Sequence, residues 1–193
     1  MNINGLLIIW IIPSIIYYFI NKKRGTEKRI ILNNLGIKWG NLQYAILGLF
    51  LGTMGVVLTV YLINKNIFPD FVNNYNLNNS TDNLPKNIKT FLLIFVIVGL
   101  STAIGEEVFF RGFLGGIFIR KWNFIRGNIL QSIIFSFFHI IPIAFINPKL
   151  ILFSFLYSFS SGFVLGILYY KSKSVLPSIL AHSIGFSILY IIT

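Results

Sequence analysis

The chain has 193 residues, 55% of them hydrophobic and 11% charged, with a formal net charge of +11 and no cysteine. A soluble domain usually carries about 25% charged residues, so this composition excludes an ordinary soluble domain. The missing thiols exclude disulfides, thiolate metal sites and cysteine nucleophiles.

The length implies one domain, residues 1–193. Near-uninterrupted apolar runs of about 18 or more residues are long enough to cross a bilayer as helices. The expected fold class is therefore all-α, a polytopic transmembrane bundle in the cell membrane. Nucleic-acid binding is not expected, because the basic residues are scattered between apolar runs. There they set topology and meet anionic lipid head groups.

Six membrane segments are predicted, at about residues 6–20, 42–63, 90–119, 128–146, 150–170 and 175–193. The first has no preceding basic residue and no small-residue cleavage site, so it reads as a retained membrane helix rather than a signal peptide. The third, at about 30 residues, would run about 45 Å as a helix. It must tilt steeply, project from the bilayer or break near residues 101–105.

Eleven basic residues follow the first, third and fifth segments: Lys22, Lys23, Arg24, Lys28, Arg29, Lys38, Arg120, Lys121, Arg126, Lys171 and Lys173. Four, Lys65, Lys86, Lys89 and Lys149, lie in the other connections with Asp70 and Asp82. The positive-inside rule places the eleven in the cytoplasm and both termini outside. The only long polar connection, residues 65–89, is Asn-rich with Pro69 and Pro85, and is expected to be irregular and extracytoplasmic. Small residues at four-residue spacing (Gly48 and Gly52; Gly112 and Gly116; Ser158, Gly162 and Gly166) read as close-packing faces of the bundle. Nothing in the sequence fixes the oligomeric state.

Only five carboxylates occur, Glu27, Asp70, Asp82, Glu106 and Glu107. Two of these are adjacent in the middle of the third segment, and an ionised group at that depth is a functional-site hypothesis by default. Glu107 and Arg111 stand at i, i+4 on one helical face, close enough to pair. Glu106 lies about 100° round the helix and has no partner within it. A Glu–Arg pair that only fixes packing would explain Glu107 and Arg111 but not Glu106. Both histidines, His139 and His182, fall near mid-depth of the fourth and last segments. Either alone reads as a hydrogen-bonded packing residue. Together, groups from three helices can surround one cavity.

Two histidines and a carboxylate (His139, His182 and Glu106) are a ligand set that a divalent metal such as zinc accepts. Without metal, the same set could work as a glutamate base with histidine electrophiles. No His-Glu-x-x-His helix is present. A serine–histidine dyad built on Ser160 or Ser161 and His182 would leave both glutamates unused.

Glu106-Glu107-x-x-x-Arg111, Phe135-x-x-x-His139 and a final-helix His182 resemble the CPBP, or Abi, intramembrane proteases. These include the type II CAAX prenyl endopeptidases and proteins of bacteriocin processing and self-immunity. The resemblance covers residues 90–193, including Gly112 after the arginine and Leu176-Pro177 before the last histidine. It implies hydrolysis of a peptide bond in a peptide or protein substrate at the bilayer. Glu106 would activate water beside His139, Glu107 and Arg111 would support the site, and His182 would stabilise the oxyanion or ligate metal.

The family's last motif usually carries Asn or Asp four residues after the histidine. Here that position is Phe186, whose phenyl ring neither donates a hydrogen bond nor ligates, and Ser183 and Ser187 offer the nearest hydroxyls. Two rival readings follow: a binding or immunity protein of the same fold without hydrolysis, and a proton-coupled carrier. The carrier is disfavoured by the lack of visible inverted repeats.

Overall fold

The computed structural model describes residues 3–65, 85–146 and 148–192. Seven helices account for most of them: α1 (Ile3–Lys23), α2 (Lys28–Asn34), α3 (Leu42–Asn64), α4 (Ile88–Lys121), α5 (Phe124–Ile146), α6 (Ile151–Ser172) and α7 (Leu176–Ile192). No strand occurs among the described residues. Four helices are long and apolar enough to cross a membrane, Leu42–Leu62, Ile88–Lys121, Phe124–Phe145 and Pro148–Ser172, and Leu176–Ile188 is a shorter apolar helix. The chain is a helical membrane bundle. Residues 66–84 of the expected irregular, Asn-rich connection lie outside the described residues, and its last two, Ile88 and Lys89, already belong to α4, capped by Asn87.

The long third segment does not break. α4 runs 34 residues without interruption, but two stretches of it, Phe95–Leu100 and Val108–Gly115, are wound as π-helix. They flank the seven-residue α-helical turn Ser101–Glu107 that ends on the two glutamates. Each π stretch shifts the helical face that follows it, and such stretches recur at functional sites.

Small residues let the backbones approach. In α3, a Cβ at Gly48 or Gly52 would meet the carbonyl oxygens of Pro177 and Ala181, and Gly185 of α7 lies near Val56. α3 and α7 therefore run parallel. Between α5 and α6 the order is reversed: Gly162 faces Ser132 and Phe135, and Gly166 faces Asn128 and Gln131. Gly112 and Gly116 of α4 instead receive the connector after α2, through the carbonyls of Leu35 and Asn34. Each small-residue face named from the sequence thus meets another part of the same chain.

The connectors bearing most basic residues meet at one end of the bundle. Arg120 Nη1 donates to Asn34 O at 3.2 Å, Ser174 Oγ to Lys38 O at 2.6 Å and Val175 N to Gly36 O at 3.0 Å. Gly36 holds a φ of +68° and its α-carbon faces Tyr169 and Val175, a backbone conformation that glycine adopts without strain.

Candidate active site

Glu106 and Glu107 leave α4 in different directions and find different partners. The Glu107 side chain is 0% exposed, and its Oε1 accepts from Arg111 Nη1 at 3.0 Å and from His182 Nδ1 at 2.9 Å. The Arg111 side chain is also 0% exposed, and its guanidinium carbon sits 4.3 Å from the centre of the Phe135 ring. One carboxylate oxygen therefore ties α4 to α7, and an α5 ring supports the arginine from beneath. The pairing of Glu107 with Arg111 agrees with the spacing argument. The sequence alone gave His182 no partner.

Glu106 faces α5. Its Oε2 lies 3.7 Å from His139 Nε2, with the side chains 12% and 33% exposed. His139 Nδ1 is 2.9 Å from Phe135 O. A carbonyl oxygen only accepts, so Nδ1 carries the proton in that bond and Nε2 of the neutral ring presents a lone pair to Glu106. Two acceptors 3.7 Å apart make no direct hydrogen bond. Glu106 Oε2 is itself buried and has no hydrogen-bond partner, an unsatisfied acceptor beside a partly exposed ring.

All five candidate residues thus come together as a pair and a group of three rather than one ring. Glu106 with His139 is the half-open pair, and Glu107 with His182 and Arg111 is the deeper group. A metal ligand set and a metal-free glutamate base are the two readings that the sequence leaves open for these residues. Among the described residues no three His, Asp or Glu side chains gather as metal ligands, and His182 turns its Nδ1 to Glu107. Ser183 and Ser187 are both fully buried. Ser187 Oγ donates to Ser183 O at 2.7 Å, and Ser183 Oγ has no hydrogen-bond partner.

An aromatic wall leads to the pair from α1. Trp10 packs on Phe109, Phe110 and Phe138 at ring separations of 5.3, 5.0 and 4.8 Å. Phe110 reaches Phe135 at 5.0 Å, and Phe135 lies 4.1 Å from the His139 ring.

Behind the wall lies a polar layer that sequence reasoning did not single out. Gln131 Nε2 approaches Asn128 Oδ1 at 2.9 Å, Ser132 Oγ at 2.8 Å and Gly162 O at 3.0 Å, and Asn128 Nδ2 donates to Phe163 O at 3.0 Å. These groups pin α5 to α6 about two to three turns before His139. The signal was present in the sequence: Asn128, Gln131, Ser132, Ser136 and His139 recur at spacings of three and four, a polar stripe on an apolar helix.

The fold and site define a polytopic helical membrane protein with two glutamate–histidine pairs at membrane depth. A family model described as Type II CAAX prenyl endopeptidase Rce1-like matches residues 88–185, from the start of α4 to three residues past His182. The chain belongs to this family of intramembrane CAAX-type proteases, the family its motifs resemble. No curated protein and no solved structure matches the chain. α1 and its Trp10, the connector after it and α3 lie outside the matched residues.

Proposed function

We propose that the protein is an intramembrane endopeptidase in which Glu106 is the general base. The observation that carries this reading is the half-open pair, Glu106 Oε2 facing the lone pair of His139 Nε2 across 3.7 Å. A water held between these acceptors gives one proton to Glu106 as its oxygen attacks the scissile carbonyl carbon. Carbon gains a C–O bond, and the carbonyl π pair moves to oxygen. Glu106 then returns the proton to the leaving amide nitrogen as the C–N bond breaks, giving a carboxylic acid and an amine. Proton transfers of this kind contribute about 10²–10⁴-fold to rate.

His182 serves the oxyanion. With Nδ1 donating to Glu107, its Nε2 carries a hydrogen only in the imidazolium form, and Glu107 balances that charge. Two carboxylates, one guanidinium and one imidazolium sum to zero, so the filled site needs no further counter-ion. Glu107 and Arg111 position His182 and do not touch the substrate. The substrate is a peptide or protein tail entering beside Trp10 and Phe138, at or near the bilayer surface. The eleven basic residues are cytoplasmic in this reading, and both termini are outside.

The test is turnover of a peptide library by purified protein in lipid, wild type against Glu106→Gln. Cleavage that survives in Glu106→Gln rejects the mechanism.

A second reading is favoured by Phe186, which stands one turn after His182 where a polar oxyanion partner is usual. In that reading the protein binds a peptide, as a self-immunity protein would, without cutting it. Wild-type protein that retains peptides without turnover, equally in Glu106→Gln, would select this reading.

A further inference from the structure

Residues 22–40 lie outside the family match and carry six cations, Lys22, Lys23, Arg24, Lys28, Arg29 and Lys38, against one carboxylate, Glu27. All six cations are exposed. The segment has two sides. Ile31 and Leu35 are 0% and 3% exposed and face the bundle, whereas Ile30, Ile37 and Trp39 are 48%, 41% and 91% exposed. Exposed cations interleaved with an exposed indole, beside the ends of membrane-spanning helices, have the chemistry of the bilayer interface rather than of open water.

The inner side is keyed to the site helix. A Cβ on Gly112, the residue after Arg111, would meet the Leu35 carbonyl, and Gly116 lies beside Asn34 O and Tyr169 Oη. Arg120, Val175 and Ser174 hold Asn34, Gly36 and Lys38 by hydrogen bonds of 3.2, 3.0 and 2.6 Å. The segment is therefore a strap across the end of α4, α6 and α7, with Glu27 the one acidic residue among its six cations.

We propose that residues 28–39 form a contact for anionic phospholipid head groups, with Lys28, Arg29 and Lys38 meeting lipid phosphates and Trp39 and Ile37 seated at the acyl boundary. This hold braces α4 beside Arg111. The occupant is the membrane's own anionic lipid, because the apolar side chains between the cations need an acyl surface that a free phosphate lacks.

The experiment uses the full chain in neutral micelles titrated with phosphatidylglycerol or phosphatidylcholine, with glycerol phosphate as the free anion. Thermal unfolding is read together with the fluorescence difference between wild type and Trp39→Phe. Phosphatidylglycerol raises the unfolding midpoint and shifts Trp39 emission to the blue, and phosphatidylcholine does neither. Three interfacial cations at about 1 kcal/mol each correspond to an apparent affinity about a hundredfold weaker in Lys28→Gln/Arg29→Gln/Lys38→Gln. Lys86→Gln/Lys89→Gln, at the opposite end of α4, titrates as wild type. Trp39→Ser alone, at an exposed position, also weakens the titration and serves if the triple variant does not fold. Equal responses to both lipids, a triple variant or Trp39→Ser that titrates as wild type, or the full effect from glycerol phosphate would overturn the proposal.

Discussion

Removing Glu107 tests the deeper group. Its Oε1 serves Arg111 Nη1 at 3.0 Å and His182 Nδ1 at 2.9 Å, and neither Glu107 nor Arg111 has any exposed side-chain surface. Glu107→Ala deletes two charge-assisted hydrogen bonds, each worth about 1.5–3 kcal/mol. It also strands a guanidinium whose Nε and Nη2 have no other hydrogen-bond partner. Breaking a buried pair by removing one partner costs about 3–5 kcal/mol, against a total stability of about 5–15 kcal/mol. Arg111→Met leaves the carboxylate with His182 Nδ1 as its remaining partner and should cost about 1.5–3 kcal/mol, the worth of one charge-assisted hydrogen bond. The double variant Glu107→Ala/Arg111→Met strands neither member of the Glu107–Arg111 pair, so part of the loss should return although His182 Nδ1 has lost its acceptor. The unfolding free energies of the four proteins, measured in one detergent, should give a coupling of at least about 2 kcal/mol. Cleavage should not return in the double variant, because His182 has lost the carboxylate that orients it. Single losses below about 1 kcal/mol, or a double variant as unstable as the sum of its singles, would refute a buried pair that acts as a unit.

Glu106→Gln should reduce cleavage by at least about 10²-fold while moving the unfolding midpoint little, since Glu106 Oε2 has no hydrogen bond to lose. A midpoint drop comparable to that of Glu107→Ala would give Glu106 a structural role instead. Gly166→Ala places a methyl against Asn128 Oδ1 and within 3.0 Å of Gln131 Nε2. Overpacking of this kind costs about 1–3 kcal/mol, readable by thermal unfolding. Gln131→Leu removes the donor that reaches Gly162 O and Asn128 Oδ1, and a lost buried hydrogen bond of this type costs about 1–3 kcal/mol. Gly112→Ala drives a methyl into the Leu35 carbonyl, and the strap should become sensitive to trypsin at Arg24, Lys28 and Arg29 in folded protein. Unchanged cleavage kinetics at those bonds would show that the strap does not depend on that contact.

Much of the site was legible because it is local. Apolar runs of spanning length specify helices wherever water is excluded, since only an internally bonded backbone is tolerated in hydrocarbon. The step from Glu107 to Arg111 is fixed by helical spacing, and Glu106 had to point elsewhere for the same reason. The polar stripe from Asn128 to His139 is equally local, but uncharged amides and hydroxyls are ordinary packing groups in membrane helices and do not by themselves mark a site.

What the sequence determined by itself is the class of protein, the two glutamates at membrane depth and the one ion pair that lies within a turn of helix. The tertiary structure decided which histidine serves which glutamate. His139 goes to Glu106 and His182 to Glu107, 33 and 75 residues along the chain. That choice rests on helix register, set where glycines let backbones touch: Gly99 against Ser183 and Ser187, Gly162 and Gly166 against α5, and Gly112 against the strap. Contacts of this kind have no period in the sequence, because each is fixed jointly by two helices whose separation along the chain carries no information about their packing.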